Sequence, residues 1–136
     1  MPQRRYLHLT GDAMILSSLL YLLAQAIERA LSNFGLEGHS SNRCSQLSGG
    51  TKRKVCAAIS LLGHPKLVLM DEPTSGMDVL AKRQMWRAIR RELAGGTSLI
   101  LTSHSMEECE ALCTRIAIMA KGRFLCLGTP SHIKEK

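Results

Sequence analysis

Leu67-Val68-Leu69-Met70-Asp71-Glu72-Pro73-Thr74-Ser75-Gly76-Met77-Asp78 decides the fold of this chain. Four apolar residues run unbroken into two adjacent carboxylates, the pattern of a strand buried on both faces within a parallel sheet. Pro73 to Gly76 stops that strand, and Asp78 is placed to cap a helix. The helix is expected to run to about Leu93, where Gly95-Gly96 ends it, and Ser98 to Thr102 (SLILT) reads as a second buried strand. Strand, helix and strand over roughly 30 residues make a βαβ unit, so the fold class is α/β with a parallel sheet core.

On the C-terminal side, Ser105-Met106-Glu107-Glu108 has the S-x-x-E form of a capping box, opening a helix to about Cys113. Arg115 to Met119 and Arg123 to Leu127 flank Lys121-Gly122 as a β-hairpin, and Gly128-Thr129-Pro130 opens a short terminal helix. On the N-terminal side, the polar stretch His39 to Gln46 leads into Leu47-Ser48-Gly49-Gly50. A helix over Lys52 to Leu62 comes next, stopped by Gly63, His64 and Pro65. The segment before Gly35 reads as helical. Its apolar run, Ala13 to Ile27, falls short of the roughly 20 residues of a spanning helix and is interrupted by Ser17, Ser18 and Gln25, so a buried helix is expected. Arg4 and Arg5 precede that run as they would in a signal peptide, but no small-residue cleavage site comes after them.

With 136 residues and 45% hydrophobic content, the chain can bury one modest core, which sets an expectation of one domain. Its net charge of +7 suits an anionic partner: nucleic acid, a membrane surface or nucleotide phosphates. Proteins that stack on nucleic acid interleave aromatics with their basic residues, and at 4% aromatic content no nucleic-acid partner is expected. The five cysteines are odd in number and lack CxxC spacing, so they read as reduced, small buried hydrophobes; Cys109 and Cys113 would share a helix face. Lys82, Arg83, Arg87, Arg90 and Arg91 read as the solvated face of the crossover helix, with Trp86 packed.

Three features carry chemistry. Asp71 and Glu72 leave the carboxyl end of a strand, where α/β sheets bind ligands, and point in different directions. One can hold a Mg²⁺ that bridges phosphate oxygens (Asp71) while the other polarises an attacking water (Glu72). Ser48-Gly49-Gly50 at a helix start offers free N–H groups, close backbone approach and a hydroxyl, an anion site reinforced by Lys52, Arg53 and Lys54; the plainer reading is an N-cap. His104 comes directly after the second strand, so a ring nitrogen can reach the same ligand as Glu72 or orient the water.

Taken in order, Leu47-Ser48-Gly49-Gly50, Leu67 to Glu72, Ser75-Gly76-Met77-Asp78 and His104 resemble the signature loop, Walker B strand, D-loop and switch histidine of ATP-binding-cassette (ABC) proteins. The resemblance covers about Gly35 to Lys136, and LTSHSMEECEALCTRIAIM with the subsequent KGRF and CLG is similar to the second nucleotide-binding domain of A-subfamily lipid exporters. It implies a partial P-loop NTPase-type cassette, with residues 35–136 forming the C-terminal part of the nucleotide-binding domain. It also implies ATP and Mg²⁺ as cofactors. Ser48, Gly49 and Gly50 would serve a nucleotide held by a second cassette, Asp71, Glu72 and His104 one in the same cassette, and Asp78 the loop that couples the two sites. Transmembrane domains, a lipid substrate and a location on the cytoplasmic face of a membrane are implied by the same resemblance.

Departures from the family pattern also bear on function. No G-x-x-x-x-G-K-[S/T] occurs in the 136 residues, so the backbone cradle and lysine for the β- and γ-phosphates are missing, and the chain alone is expected to be inactive. Thr51 stands where glutamine is frequent. Residues 1–34 match loosely. Pro2-Gln3 is either a remnant of the glutamine loop, with Leu9-Thr10-Gly11 resembling the family's next segment, or part of an altered start. Two functional classes stay open. The chain is part of a lipid-transporting ATPase, or it is a truncated, non-hydrolysing module that pairs with an intact cassette.

Overall fold

The computed structural model describes residues 11–134; the segments Pro2-Gln3 and Leu9-Thr10 lie outside them. Val68 and Met70 alternate along strand β1 (Leu67–Asp71) and are buried, which fixes the face it turns to the core. Strand β2 (Ser98–Thr102) pairs parallel to it in the register Leu69↔Ile100 and Asp71↔Thr102, so both strands end side by side. Helix α3 (Val79–Leu93) makes the crossover expected from the sequence. Asp78 caps it, its Oδ1 accepting from the Ala81 N–H at 2.9 Å.

The core lies on one face of this strand pair. Helix α1 (Gly11–Phe34) contributes Phe34 from its end, helix α2 (Gly49–Leu61) contributes Ala57, Ala58 and Leu61, and α3 contributes Met85, Ala88 and Ile89. Ile89 at 0% exposure and Met85 at 1% are among its most enclosed members, each worth about 1.5–3 kcal/mol of burial.

The opposite face of the pair is open, contrary to the expectation of strands buried on both sides. Leu67, Leu69 and Ile100 lie there, Leu69 at 70% exposure, because no element among the described residues covers them. Apolar sequence marks a face as suited to burial; what buries it must come from elsewhere in the fold.

The expectation of a buried N-terminal helix is likewise corrected. Met14 to Leu23 of α1 are exposed, and only Ala30, Leu31 and Phe34 near its end pack on the core. Over Asp12–Phe34 the helix is long and apolar enough to cross a membrane by length and composition, its most apolar 18-residue stretch having a mean hydropathy of 1.4. The interrupting serines do not break it, because the Ser17 and Ser18 hydroxyls donate back to the Met14 carbonyl at 2.9 Å.

Helix α4 (Met106–Leu112) packs against α3, and strands β3 (Ile116–Ala120) and β4 (Arg123–Gly128) form a separate antiparallel hairpin. Its two-residue turn uses positive φ at both Lys121 (47°) and Gly122 (74°), the mirror-image turn that suits strand twist. Helix α5 (Pro130–Lys134) ends the described chain. Cys44 and Cys56 are exposed, against the expectation of buried thiols, while Cys109, Cys113 and Cys126 are half-buried; all five are free. Met70, Met77 and Met85 belong to the core, whereas Met119 is exposed.

Candidate functional site

The parallel register brings the ends of β1 and β2 together, and with them Asp71, Glu72 and His104. Thr102, level with Asp71, donates its hydroxyl to Asp71 Oδ1. Glu72 continues the ladder by one bond, its N–H reaching the Thr102 carbonyl at 3.0 Å. It then turns into the left-handed region with φ of 47°, which L residues adopt at a cost of about 1–2 kcal/mol. That turn separates its side chain from Asp71. The Glu72 carboxylate meets His104 Nδ1, with Oε1 at 2.8 Å and Oε2 at 2.7 Å.

An ionised carboxylate only accepts, so in this geometry Nδ1 carries the proton that faces Glu72. The outer nitrogen, Nε2, is then an acceptor in the neutral ring and a donor only in the imidazolium. His104 is 75% exposed at its side chain and Glu72 34%, so this pair is worth about 0–1 kcal/mol to stability. It fixes direction, and Asp71 is exposed beside it.

Arg53, expected to strengthen the positive field at the start of α2, also donates from Nη1 to the Glu72 carbonyl at 2.9 Å. It braces the strained turn from the neighbouring helix, and Lys54 Nζ donates to Gln84 Oε1 at 3.2 Å. The helix itself begins at Gly49, ahead of the expected Lys52, because Ser48 caps it. Ser48 Oγ accepts from the Thr51 N–H at 3.1 Å and sits 2.8 Å from Thr51 Oγ1. Thr51, the residue at the frequent glutamine position, thus completes the cap.

Capping leaves the Gly49 and Gly50 N–H groups without intrahelical acceptors. A Cβ on Gly49 would meet nothing within 4 Å, and one on Gly50 would lie 3.9 Å from Met77 Cγ. Open space therefore surrounds this helix start, and Gly50 lies against the loop that leads to Asp78. The structure thus gathers Asp71, Glu72 and His104 at one sheet end, while Ser48, Gly49 and Gly50 occupy a helix start tied to that end through Arg53. Asp78 stands at the start of α3 as its cap.

Sequence reasoning does not single out Thr102, Thr74 or Ser103, and it gives Arg53 and Glu108 other roles, a field and a capping box. Only half of that box forms: Ser105 Oγ accepts from the Glu108 N–H at 3.4 Å, but the Glu108 carboxylate turns inward and the Ser105 N–H goes to Ser103 Oγ at 3.0 Å. At 1% exposure Glu108 is the most buried charged residue among the described residues. Burial pushes the Cys109 thiol up from its ordinary value, with Glu108 beside it adding to the effect, and burial likewise raises Cys113.

Asp71 offers one carboxylate, oriented by Thr102, at the end of a strand. Mg²⁺ commonly binds one or two carboxylates and completes its octahedron with phosphate oxygens and water, so this donor fits one side of a phosphate-bound Mg²⁺. Among the described residues, no group of three or more His, Cys, Asp or Glu side chains could hold a metal ion.

Residues 8–75, half of the chain, match the ABC transporter family. The chain belongs to the ABC transporter family. It is 54% identical over 101 residues to ATP-binding cassette sub-family A member 13 of Homo sapiens, covering 74% of this chain and 2% of that protein. Against the phospholipid-transporting ATPase ABCA3 of Rattus norvegicus the identity is 42% over 135 residues, or 95% of this chain and 8% of that protein. A solved ATP binding subunit of an ABC transporter superposes with a TM-score of 0.70 at 28% identity, covering 83% of this chain and 47% of that one. This ABC chain therefore spans about half of a solved cassette and under a tenth of these curated relatives. The fold is that of an ABC ATPase domain, seen in part, and nucleotide binding is the family's shared chemistry.

Proposed function

We propose that this chain is the signature-to-switch part of a cassette that hydrolyses ATP and thereby drives lipid transport across a membrane in a longer protein. The observation that carries the reading is the Glu72 carboxylate held 2.7–2.8 Å from His104 Nδ1 next to Asp71 at the shared end of two parallel strands. In this reading Asp71 ligates Mg²⁺ bound to ATP, and the ion, when bound, neutralises charge on the phosphate oxygens. Glu72 orients and deprotonates the attacking water. His104 holds the Glu72 carboxylate through Nδ1 and presents Nε2 outward; as an imidazolium, Nε2 donates to a phosphate oxygen.

Ser48, Gly49 and Gly50 then serve the phosphates of a nucleotide held chiefly by a second cassette, which their open surroundings permit. Asp78, on the loop that touches Gly50 through Met77, relates the two sites. Membrane domains of the same longer protein supply the lipid path and place the cassette on the cytoplasmic face. The 42% identity to a phospholipid-transporting ATPase supports the substrate class.

In the longer transporter, reconstituted in phospholipid vesicles, Glu72→Gln and His104→Ala are each expected to lower ATP-driven lipid movement by about 10²-fold or more. Transport at the parental rate in Glu72→Gln would overturn the reading.

A further inference from the structure

We infer that Glu108 is a positioning residue that locks the loop carrying Asp78 to the loop carrying His104. The residue is 1% exposed, and its carboxylate accepts from three side chains on three separate segments. Oε1 accepts from Thr74 Oγ1 at 2.7 Å and from Trp86 Nε1 at 3.3 Å; Oε2 accepts from Ser103 Oγ at 2.6 Å. Thr74 lies between Glu72 and Asp78, Trp86 lies on α3, and Ser103 immediately precedes His104.

The two loop contacts are continued into backbone. The Thr74 carbonyl accepts from the Met77 N–H at 3.2 Å, closing the turn that delivers Asp78 to α3. Ser103 Oγ, while donating to Glu108, accepts from the Ser105 N–H at 3.0 Å, closing the turn that carries His104. Glu108 therefore sits between two loops that touch the proposed nucleotide sites, and its bond to Thr74 spans 34 residues of sequence.

The chemistry makes the link stiff in both directions. A buried carboxylate that loses a donor cannot turn to water for a replacement, so it resists withdrawal of either hydroxyl. Thr74 at 1% exposure is equally enclosed and has the same need for its partner. Displacing the loop that bears Asp78 strains the Thr74 contact and, through Glu108, the Ser103 contact behind His104. A change in one loop is thus felt by the other through this one side chain. A role confined to capping α4 does not account for the geometry, because the Ser105 N–H that a capping box would offer to Glu108 is taken by Ser103.

The two loops owe their assignment to nucleotide sites to the proposed function, but their coupling can be read without any ATPase. Trp86 is the single tryptophan of the chain, so one indole signal in a ¹⁵N–¹H spectrum of the 136-residue protein reports directly on Glu108. Thr74→Val removes one donor and keeps the side-chain shape. It is expected to move the amide signals of Ser103, His104 and Ser105, and to raise solvent exchange of the Trp86 indole N–H on the order of tenfold. In a Glu108→Ala background, Thr74→Val is expected to leave Ser103 to Ser105 where that background puts them.

Glu108→Gln guards against a variant that fails to fold. Its amide oxygen still accepts from Thr74 and Trp86, while its NH₂ cannot accept from Ser103, so Ser103 to Ser105 should shift and the indole should stay. Changes from Thr74→Val confined to residues 73–78, or a response at Ser103 to Ser105 that persists without Glu108, would overturn the inference. Either result would leave the ATPase reading standing, since that reading is tested at Glu72.

Discussion

Replacing Glu72 by glycine and by alanine should separate the cost of its backbone from the worth of its side chain. Both variants lose the contact with His104, which at these exposures is worth about 0–1 kcal/mol and cancels between them. They differ in what they do at φ of 47°. Alanine keeps a penalty of about 1–2 kcal/mol in the left-handed region, whereas glycine removes it. Glycine in turn gives up about 0.5–1 kcal/mol through the greater freedom of its unfolded chain. Taking the middle of each range, the difference leaves Glu72→Gly more stable than Glu72→Ala by about 0.7 kcal/mol. With a urea dependence of about 2 kcal/mol per molar, the glycine variant's midpoint should lie about 0.35 M higher at an unchanged slope. An alanine variant equal to or more stable than the glycine variant would refute the claim that strain is stored at this turn. The Glu72 N–H bond to Thr102 and the Arg53 bond to the Glu72 carbonyl are what hold the turn in place. Arg53→Ala should therefore narrow the gap between the two variants by letting alanine relax.

Cys44 and Cys56 are exposed, so a thiol reagent at neutral pH should modify them first. Cys109 and Cys113, whose thiols are raised by burial, should react at least about tenfold more slowly and speed up as pH climbs past the ordinary thiol range, because the thiolate is the nucleophile. Equal rates at all four, measured by mass spectrometry, would contradict the placement of α4. Ile89→Ala should cost about 2–5 kcal/mol in urea unfolding, since Ile89 is fully enclosed. The purified 136-residue chain should show no ATPase activity above background, having no G-x-x-x-x-G-K-[S/T]; turnover that vanishes in Glu72→Gln would count against this.

Much of the site was legible because its determinants are local. Met70-Asp71-Glu72 at a strand end, Asp78 before α3, Ser48 before α2 and His104 after β2 each depend on neighbours within a few positions, and the βαβ register accounts for the meeting of the two strand ends. Arg53 reaching the Glu72 carbonyl and Glu108 reaching Thr74 and Trp86 are contacts across 19, 34 and 22 residues, for which no spacing rule exists. Glu108 is visible in sequence only as the last letter of a capping box, and burial redirects it. The positive φ of Glu72 leaves no mark there because nothing in a glutamate side chain signals the left-handed region, which non-glycine residues seldom adopt. The open face at Leu69 and Ile100 and the exposed start of α1 depart from expectation for a shared reason. Apolar sequence states a demand for cover, and only the folded molecule shows whether that cover is present.

The proposal that Glu72 acts in hydrolysis, while Asp71 and the nucleotide's phosphate contacts secure binding, is tested most directly by Glu72→Gln in the longer transporter. Mg²⁺-dependent ATP binding and ATP hydrolysis would be measured on the same preparation. Binding should stay within about threefold of the parent and hydrolysis should fall by about 10²-fold or more. Loss of binding, or hydrolysis at the parental rate, would contradict it.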